Sequence, residues 1–209
     1  WGRSWPLQPK KTSTNGYYHQ WLENHTLEQI NTEIRQQLRK EKGRNENPSA
    51  GIIDTQTVKG TQESSEESGF DGGKLINGRK RHTVVDTMGY LLIVWVHAAN
   101  IYDGHAARGV LTALFSRIST IKKIWADGTY KGEEFIQWVK DQFDCVLEVV
   151  KKKNTGKGFE VLPRRWVVER TFAWLGRSRR LSKDYERKPT SSAGQVSITS
   201  SRFMLRRLC

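Results

Sequence analysis

Gly51-Ile52-Ile53-Asp54-Thr55-Gln56-Thr57-Val58 is the stretch whose reading decides the fold. It is short and β-branched, and it follows the helix-breaking Pro48, so it reads as a buried strand that carries an acid in its middle. Residues 60–78, rich in Gly, Ser and Glu, read as a mobile loop. Two strands are predicted next, at 82–87 and 91–98, joined as a hairpin through Met88-Gly89. Ala107, Val110, Leu111, Leu114 and Phe115 have helical spacing across 103–118. Then come a short strand at 123–127, a helix at 133–143, a strand at 146–150 and a long helix at 163–181 with Pro163 in its first turn. The order β, ββ, α, β, α, β, α is that of an α/β protein with a mixed sheet layered by helices.

Upstream of this region, residues 1–50 are polar. Tyr18, Trp21 and Leu22 share one helical face, and Leu27, Ile30, Ile34 and Leu38 continue at spacings of three and four. Thr26 is placed to cap the second helix, with Gln29 three residues on. A basic run at 35–44 ends it, and Gly43 and Pro48 break it. Packing on the core and direct contact with DNA both fit this segment. Downstream, residues 189–201 are Ser/Thr-rich and weakly patterned, and a basic segment at 202–208 closes the chain. Three parts are therefore expected: a helical amino-terminal segment (1–48), an α/β domain (49–188) and a basic carboxy-terminal tail (189–209).

Composition narrows the function classes. Lys and Arg number 35 against 22 Asp and Glu, a formal charge of +13. A surplus of that size calls for a polyanionic partner, with nucleic acid the first candidate and solubility or acidic lipid the alternatives. Cys145 and Cys209 are far apart and lack zinc-ligand or redox spacing, which fits a reduced, intracellular setting. No apolar run approaches the roughly 18 residues of a membrane span, so no membrane partner is expected.

Three acids stand where chemistry would use them. Asp54 follows Gly51-Ile52-Ile53, Asp127 ends Ile124-Trp125-Ala126, and Glu169 lies in Arg164-Arg165-Trp166-Val167-Val168-Glu169-Arg170. An acid after a run of buried apolar residues is costly unless it is paired or binds a cation. Two such strands side by side would bring like charges together, and a hard divalent cation with oxygen ligands relieves that. Each acid alone has a plainer reading. A strand-end Asp is commonly a cap, and Glu169 has Arg165 four residues before it as an ion-pair partner. Asp86 reads as a turn acid and His97 as a core residue. His82 reads as a strand-edge histidine satisfied by backbone, with a contact to DNA phosphate as the alternative.

Five blocks carry a resemblance: Gly51 through Lys59, Gly78-Arg79-Lys80-Arg81-His82 through Thr87, Val96-His97-Ala98-Ala99-Asn100, Ile124-Trp125-Ala126-Asp127-Gly128, and Leu162-Pro163-Arg164 through Leu175. Together they resemble transposases of the insertion-sequence-five family. The likeness implies a ribonuclease H-like core in which Asp54, Asp127 and Glu169 hold two Mg2+ (or Mn2+) ions. It also implies DNA strand cleavage and strand transfer on double-stranded DNA, at terminal inverted repeats and a target, by at least a homodimer in the bacterial cytoplasm. A Tyr-Arg-Glu-Lys pattern of related transposases is matched by Arg165 and Glu169. Leu162 and Gly176 stand at its other two positions, with Arg177 beside the last. Gly128-Thr129 replaces the usual Gly-Gly, and residues 1–45 resemble only the end of a longer helical front region, so the chain reads as amino-terminally truncated. The interval from Asp127 to Glu169 has room for one helix and one strand, so no inserted domain is expected there. Candidate phosphate contacts are Lys59, Arg79, Lys80, Arg81, Arg164, Arg165, Arg170, Arg177, Arg180 and Lys183, with Lys151-Lys152-Lys153 and Lys157 nearby. A nuclease on the same fold, and a remnant that binds DNA without activity, are the alternatives.

Overall fold

A computed structural model describes residues 14–64, 66–150 and 164–208. Two helices lead, α1 (Thr14–Glu23) and α2 (Thr26–Glu41). Then follow β1 (Ala50–Lys59), β2 (Gly69–Asp71), β3 (Ile76–Asp86) and β4 (Leu91–Ala98). Next come α3 (Asp103–Phe115), β5 (Lys123–Ala126), α4 (Glu133–Phe143), β6 (Val146–Val149), α5 (Trp166–Gly176) and α6 (Pro189–Leu205). The order predicted for the central region holds.

The six strands form one mixed sheet. β1, β3 and β4 are antiparallel neighbours, β2 pairs with the start of β3, and β5 and β6 extend the other edge in parallel with β1. Helices cover both faces, the layering of a ribonuclease H-like fold. Side chains alternate across a strand, and the two apolar clusters show that alternation residue by residue. Ile53, Val84, Ile124 and Ala126 pack with α3 and α4 through Val110, Leu111 and Val139. Ile52, Val85 and Trp125 pack on the opposite face against Val167, Val168 and Phe172 of α5.

Four expectations need correction. The predicted loop at 60–78 contains a turn of 3-10 helix (Gln62–Ser64), β2 and the start of β3. The long helix at 163–181 breaks after Gly176 into a separate 3-10 turn (Arg179–Leu181), and Pro163 lies outside the described residues. Thr26 is the first helical residue rather than the cap; Asn24 Oδ1 accepts from its backbone N–H at 3.2 Å and from its hydroxyl at 2.6 Å. The weakly patterned tail is a 17-residue helix, α6. Its Ser, Ala and Gly residues lack an amphipathic stripe because close approach, not apolar bulk, seats the helix. A Cβ on Gly194 would lie 2.4 Å from Leu22 and 2.6 Å from Tyr18.

The amino-terminal helices belong to the same body. Ile34 and Leu38 of α2 pack with Tyr90 and Met204. The basic run that ends α2 turns partly inward: Arg35 Nη1 donates to Leu91 O at 3.0 Å, and Arg39 Nη1 meets Asp86 Oδ2 at 2.5 Å with both side chains buried. Asp86 is a turn acid as expected, accepting from the N–H groups of Met88 and Tyr90 at 2.9 Å each, and the turn closes at Gly89, whose φ is +86°.

Asp86→Ala removes the carboxylate that holds this turn and neutralises buried Arg39. A loss of about 3–5 kcal/mol is expected from urea unfolding. A loss below 1 kcal/mol would show that the pair is not a structural joint.

Candidate active site

Alternation and register together position the two aspartates. Asp54 is two residues beyond Ile52, and Asp127 two beyond Trp125; Ile52 and Trp125 are Cα partners in the parallel β1–β5 pairing. Continued by two residues, that register sets Asp54 level with Asp127, both on the face covered by α5. Each carboxylate has a local anchor. Thr55 N–H donates to Asp54 Oδ1 at 2.8 Å. Asp127 caps the following 3-10 turn, Gly128–Tyr130, by accepting from Thr129 N–H at 2.9 Å.

Glu169 arrives from α5 with Arg165 one turn before it. Arg165 Nη2 lies 3.1 Å from Asp54 Oδ2 and 3.6 Å from Glu169 Oε1, so one guanidinium nitrogen faces both acids. The Asp54 side chain is largely buried while that of Glu169 is half exposed. Burial pushes the Asp54 carboxyl up to about 6, Arg165 and the Thr55 N–H oppose the rise, and the nearby negative charge of Asp127 adds to it. The three predicted acids thus converge on one face, with Arg165 as the resident counter-charge. Among the described residues no three His, Cys, Asp or Glu side chains stand in ready metal-holding geometry. The donor set nonetheless suits a hard divalent ion: all oxygen, two carboxylates anchored at one oxygen each, and a buried charge that needs a cation.

A second polar layer lies behind Asp54, and sequence reasoning missed it. Thr55 Oγ1 donates to Asp103 Oδ2 at 2.7 Å, and Lys80 Nζ sits 2.8 Å from Asp103 Oδ1 and 2.8 Å from Ile101 O. The Tyr130 hydroxyl is 2.8 Å from His82 Nε2, which ties the Asp127 turn to β3. Tyr102 donates to Thr129 O at 2.8 Å and holds the same turn from α3. His82 is therefore fully buried and bonded to a side chain, not a strand-edge residue satisfied by backbone. Burial lowers its pKa to about 3, so it stays neutral. His97 is buried in the core as expected. These partners are far apart in sequence and carry no local motif; only the register of β1, β3 and β5 brings them together.

The candidate phosphate contacts divide. Lys59, Arg164, Arg177, Arg180 and Lys183 are exposed, Arg180 being paired with Glu186 at 2.7 Å. Arg165 is committed to the acids. Arg170 is half-buried, its guanidinium 4.5 Å from the ring centres of both Trp166 and Trp174, and it donates to Met88 O at 3.0 Å. Arg79, Lys80 and Arg81 are buried, which corrects the expectation of a basic turn open to DNA. Arg79 donates to Glu186 O and Arg187 O at 2.7 Å each and to Glu66 O, and Arg81 donates to Leu181 O at 2.8 Å. They satisfy carbonyls of the 181–187 segment that no ladder reaches. Lys151, Lys152, Lys153 and Lys157 lie outside the described residues.

Residues 45–198 match the profile of the Transposase DDE domain family. A protein named for the transposase of insertion sequence element IS402, from Burkholderia cepacia, is 30% identical over 125 residues, which is 53% of this chain and 55% of that protein. The chain thus spans about half the length of the curated relative it matches.

The raised Asp54 pKa sets a sign. The folded carboxyl keeps its proton to about 6, against 3.8 for an unperturbed one. Stability is therefore lost as pH rises through that window and stays lost at pH 7. Asp54→Asn is expected to raise Tm at pH 7 by about 2–4 °C, roughly 1 kcal/mol. The gain should vanish near pH 4, and an unchanged or lower Tm at pH 7 would contradict the cost assigned to this charge.

Proposed function

Because the chain belongs to the transposase DDE domain family, we propose that it catalyses metal-dependent cleavage and strand transfer of DNA at the ends of an insertion sequence. Asp54, Asp127 and Glu169 are its metal-binding carboxylates. The observation that carries the reading is the convergence of these acids. Asp54 and Asp127 stand level on adjacent parallel strands, and Glu169 meets Asp54 across a single guanidinium nitrogen.

Asp54, Asp127 and Glu169 would together hold two Mg2+ (or Mn2+) ions. When bound, such ions activate a water or a DNA 3′-hydroxyl and stabilise the leaving oxygen of an in-line displacement at phosphorus. The chain's own contribution is positioning. The Thr55 and Thr129 N–H groups each fix one oxygen of an aspartate and leave the other outside that bond. The Tyr130–His82 contact keeps the Asp127 turn against β3, and neutral His82 adds no charge there. Arg165 balances Asp54 and Glu169 and would have to yield as cations enter. No Ser, Cys or Tyr is needed as a covalent nucleophile. The exposed Arg164, Arg177 and Lys183 place positive charge along α5 and the segment after it, suited to a phosphate backbone. DNA ends and target would be brought together by at least a homodimer, in the bacterial cytoplasm. No helix among the described residues is long and apolar enough to cross a membrane.

The test supplies purified protein, Mg2+ and duplex DNA bearing the element's ends. Nicking and joining are expected, each falling at least 100-fold in Asp54→Asn, Asp127→Asn and Glu169→Gln. Cutting without joining would favour a nuclease, and cutting that survives all three substitutions would remove the assignment.

A further inference from the structure

A polar cavity of about 370 Å3 opens between the end of α2, the start of β1, the β3–β4 turn and the residue that leads into α5. Arg39, Arg44 and Arg164 line it, with the hydroxyl-bearing Ser49 and Thr87, and among the described residues no carboxylate does. Arg39 is already engaged, by Asp86 Oδ2 at 2.5 Å and by Asn45 O at 2.7 Å. Arg44 and Arg164 are exposed, and among the described residues neither has a carboxylate within ion-pair distance. Arg164 is nonetheless held in place. Its guanidinium lies 4.5 Å from the Trp125 ring centre, a contact that orients the charge without neutralising it. Its backbone has φ +67°, a left-handed conformation that costs an L-residue about 1–2 kcal/mol.

We propose that this cavity is an anion site that takes a phosphodiester of the DNA backbone. Guanidinium forks match phosphate oxygens in pairs, and two uncompensated arginines above a third that is anchored from behind form a recess of one sign. The recess adjoins the acids. Arg164 faces it while the next residue, Arg165, reaches Asp54. Ala50, on its wall, is four residues before Asp54 along β1, about 13 Å at 3.3 Å per residue. A phosphate held here would therefore lie within a few nucleotides of the reacting one. Such a contact sets register and carries no sequence information. The identity of the phosphate as DNA rests on the proposed function; the anion site itself does not.

The test measures anisotropy of a labelled 20-base-pair duplex with the full chain, without divalent metal, across a salt series. The variants are Arg44→Gln, Arg164→Gln, the double substitution, and Arg117→Gln after α3 as a control. Each cavity variant is expected to bind about 3–10-fold more weakly, with the log–log salt slope shallower by about one, and the control to match wild type. Thermal melts of the free variants check that the fold is kept, and Arg164→Lys, which keeps charge but loses the fork, should recover part of the affinity. Inorganic phosphate should raise the Tm of wild type and not of the double variant. Phosphate protection with unchanged duplex affinity would make this a site for the free ion and overturn the DNA assignment. Unchanged affinity and slope in the double variant would overturn it as well. A wild type that binds through the cavity but never cuts DNA would sink the proposed function alone; cutting that needs the three acids, with the double variant binding as wild type, would sink the cavity alone.

Discussion

Two partly buried negative charges held level at neighbouring parallel strands are the constraint around which this molecule is arranged. Alternation along β1 and β5 sends Ile53 and Ala126 to one core and Ile52 and Trp125 to the other, and the next residue on that second face is an aspartate in both strands. Burial, with the like charge of Asp127 adding to it, makes Asp54 hold its proton to about 6. The fold meets this repulsion with Arg165 from α5, and the same helix carries Glu169 one turn on. Balance therefore depends on how α5 seats on the sheet through Val167, Val168 and Phe172.

Much of the remaining structure is held by cations turned inward. Arg35 and Arg39 of α2 reach a carbonyl of β4 and the acid of the β3–β4 turn. Arg79 and Arg81 of β3 gather carbonyls from the segment between α5 and α6. A guanidinium suits this work because its five donors satisfy several backbone oxygens at once. Part of the charge of +13 that suggests nucleic acid is thus structural. Among the cations that stay exposed, Arg164, Arg177 and Lys183 flank α5, beside the acids.

The polar layer behind Asp54 shows how the site is kept in shape. Thr55, Asp103 and Lys80 brace the strand that carries the first acid, while Tyr130, His82 and Tyr102 brace the turn capped by the second. Most of these groups are buried or nearly so, where a partly satisfied network would be costly, and they join β3, β1 and α3 to the end of β5. An error in the pairing of β1 with β3 by one residue would disconnect both braces and turn Asp54 to the wrong face.

Apart from β2 and the start of β3, the order of strands and helices from residue 50 to 150 was legible in the chain, because periods of 2.0 and 3.6 and Gly/Pro punctuation are local signals. Asp54, Asp127 and Glu169 stand out in the chain for a local reason too, because an acid after a buried apolar run is anomalous. The helix at Pro189–Leu205 was not legible: its contacts depend on small residues, whose fit is defined only by the surface they meet. Nor was the inward direction of Arg79, Lys80 and Arg81, since a basic triplet reads the same whether it faces water or carbonyls a hundred residues away. By itself the sequence determined most of the strands and helices of the central region and the positions of its acids, all set by nearest neighbours along the chain. Only the tertiary structure decided which charges are buried, which acid shares an arginine with which, and where cations remain free, because electrostatic energy depends on distance and solvent access in space, not on separation in sequence.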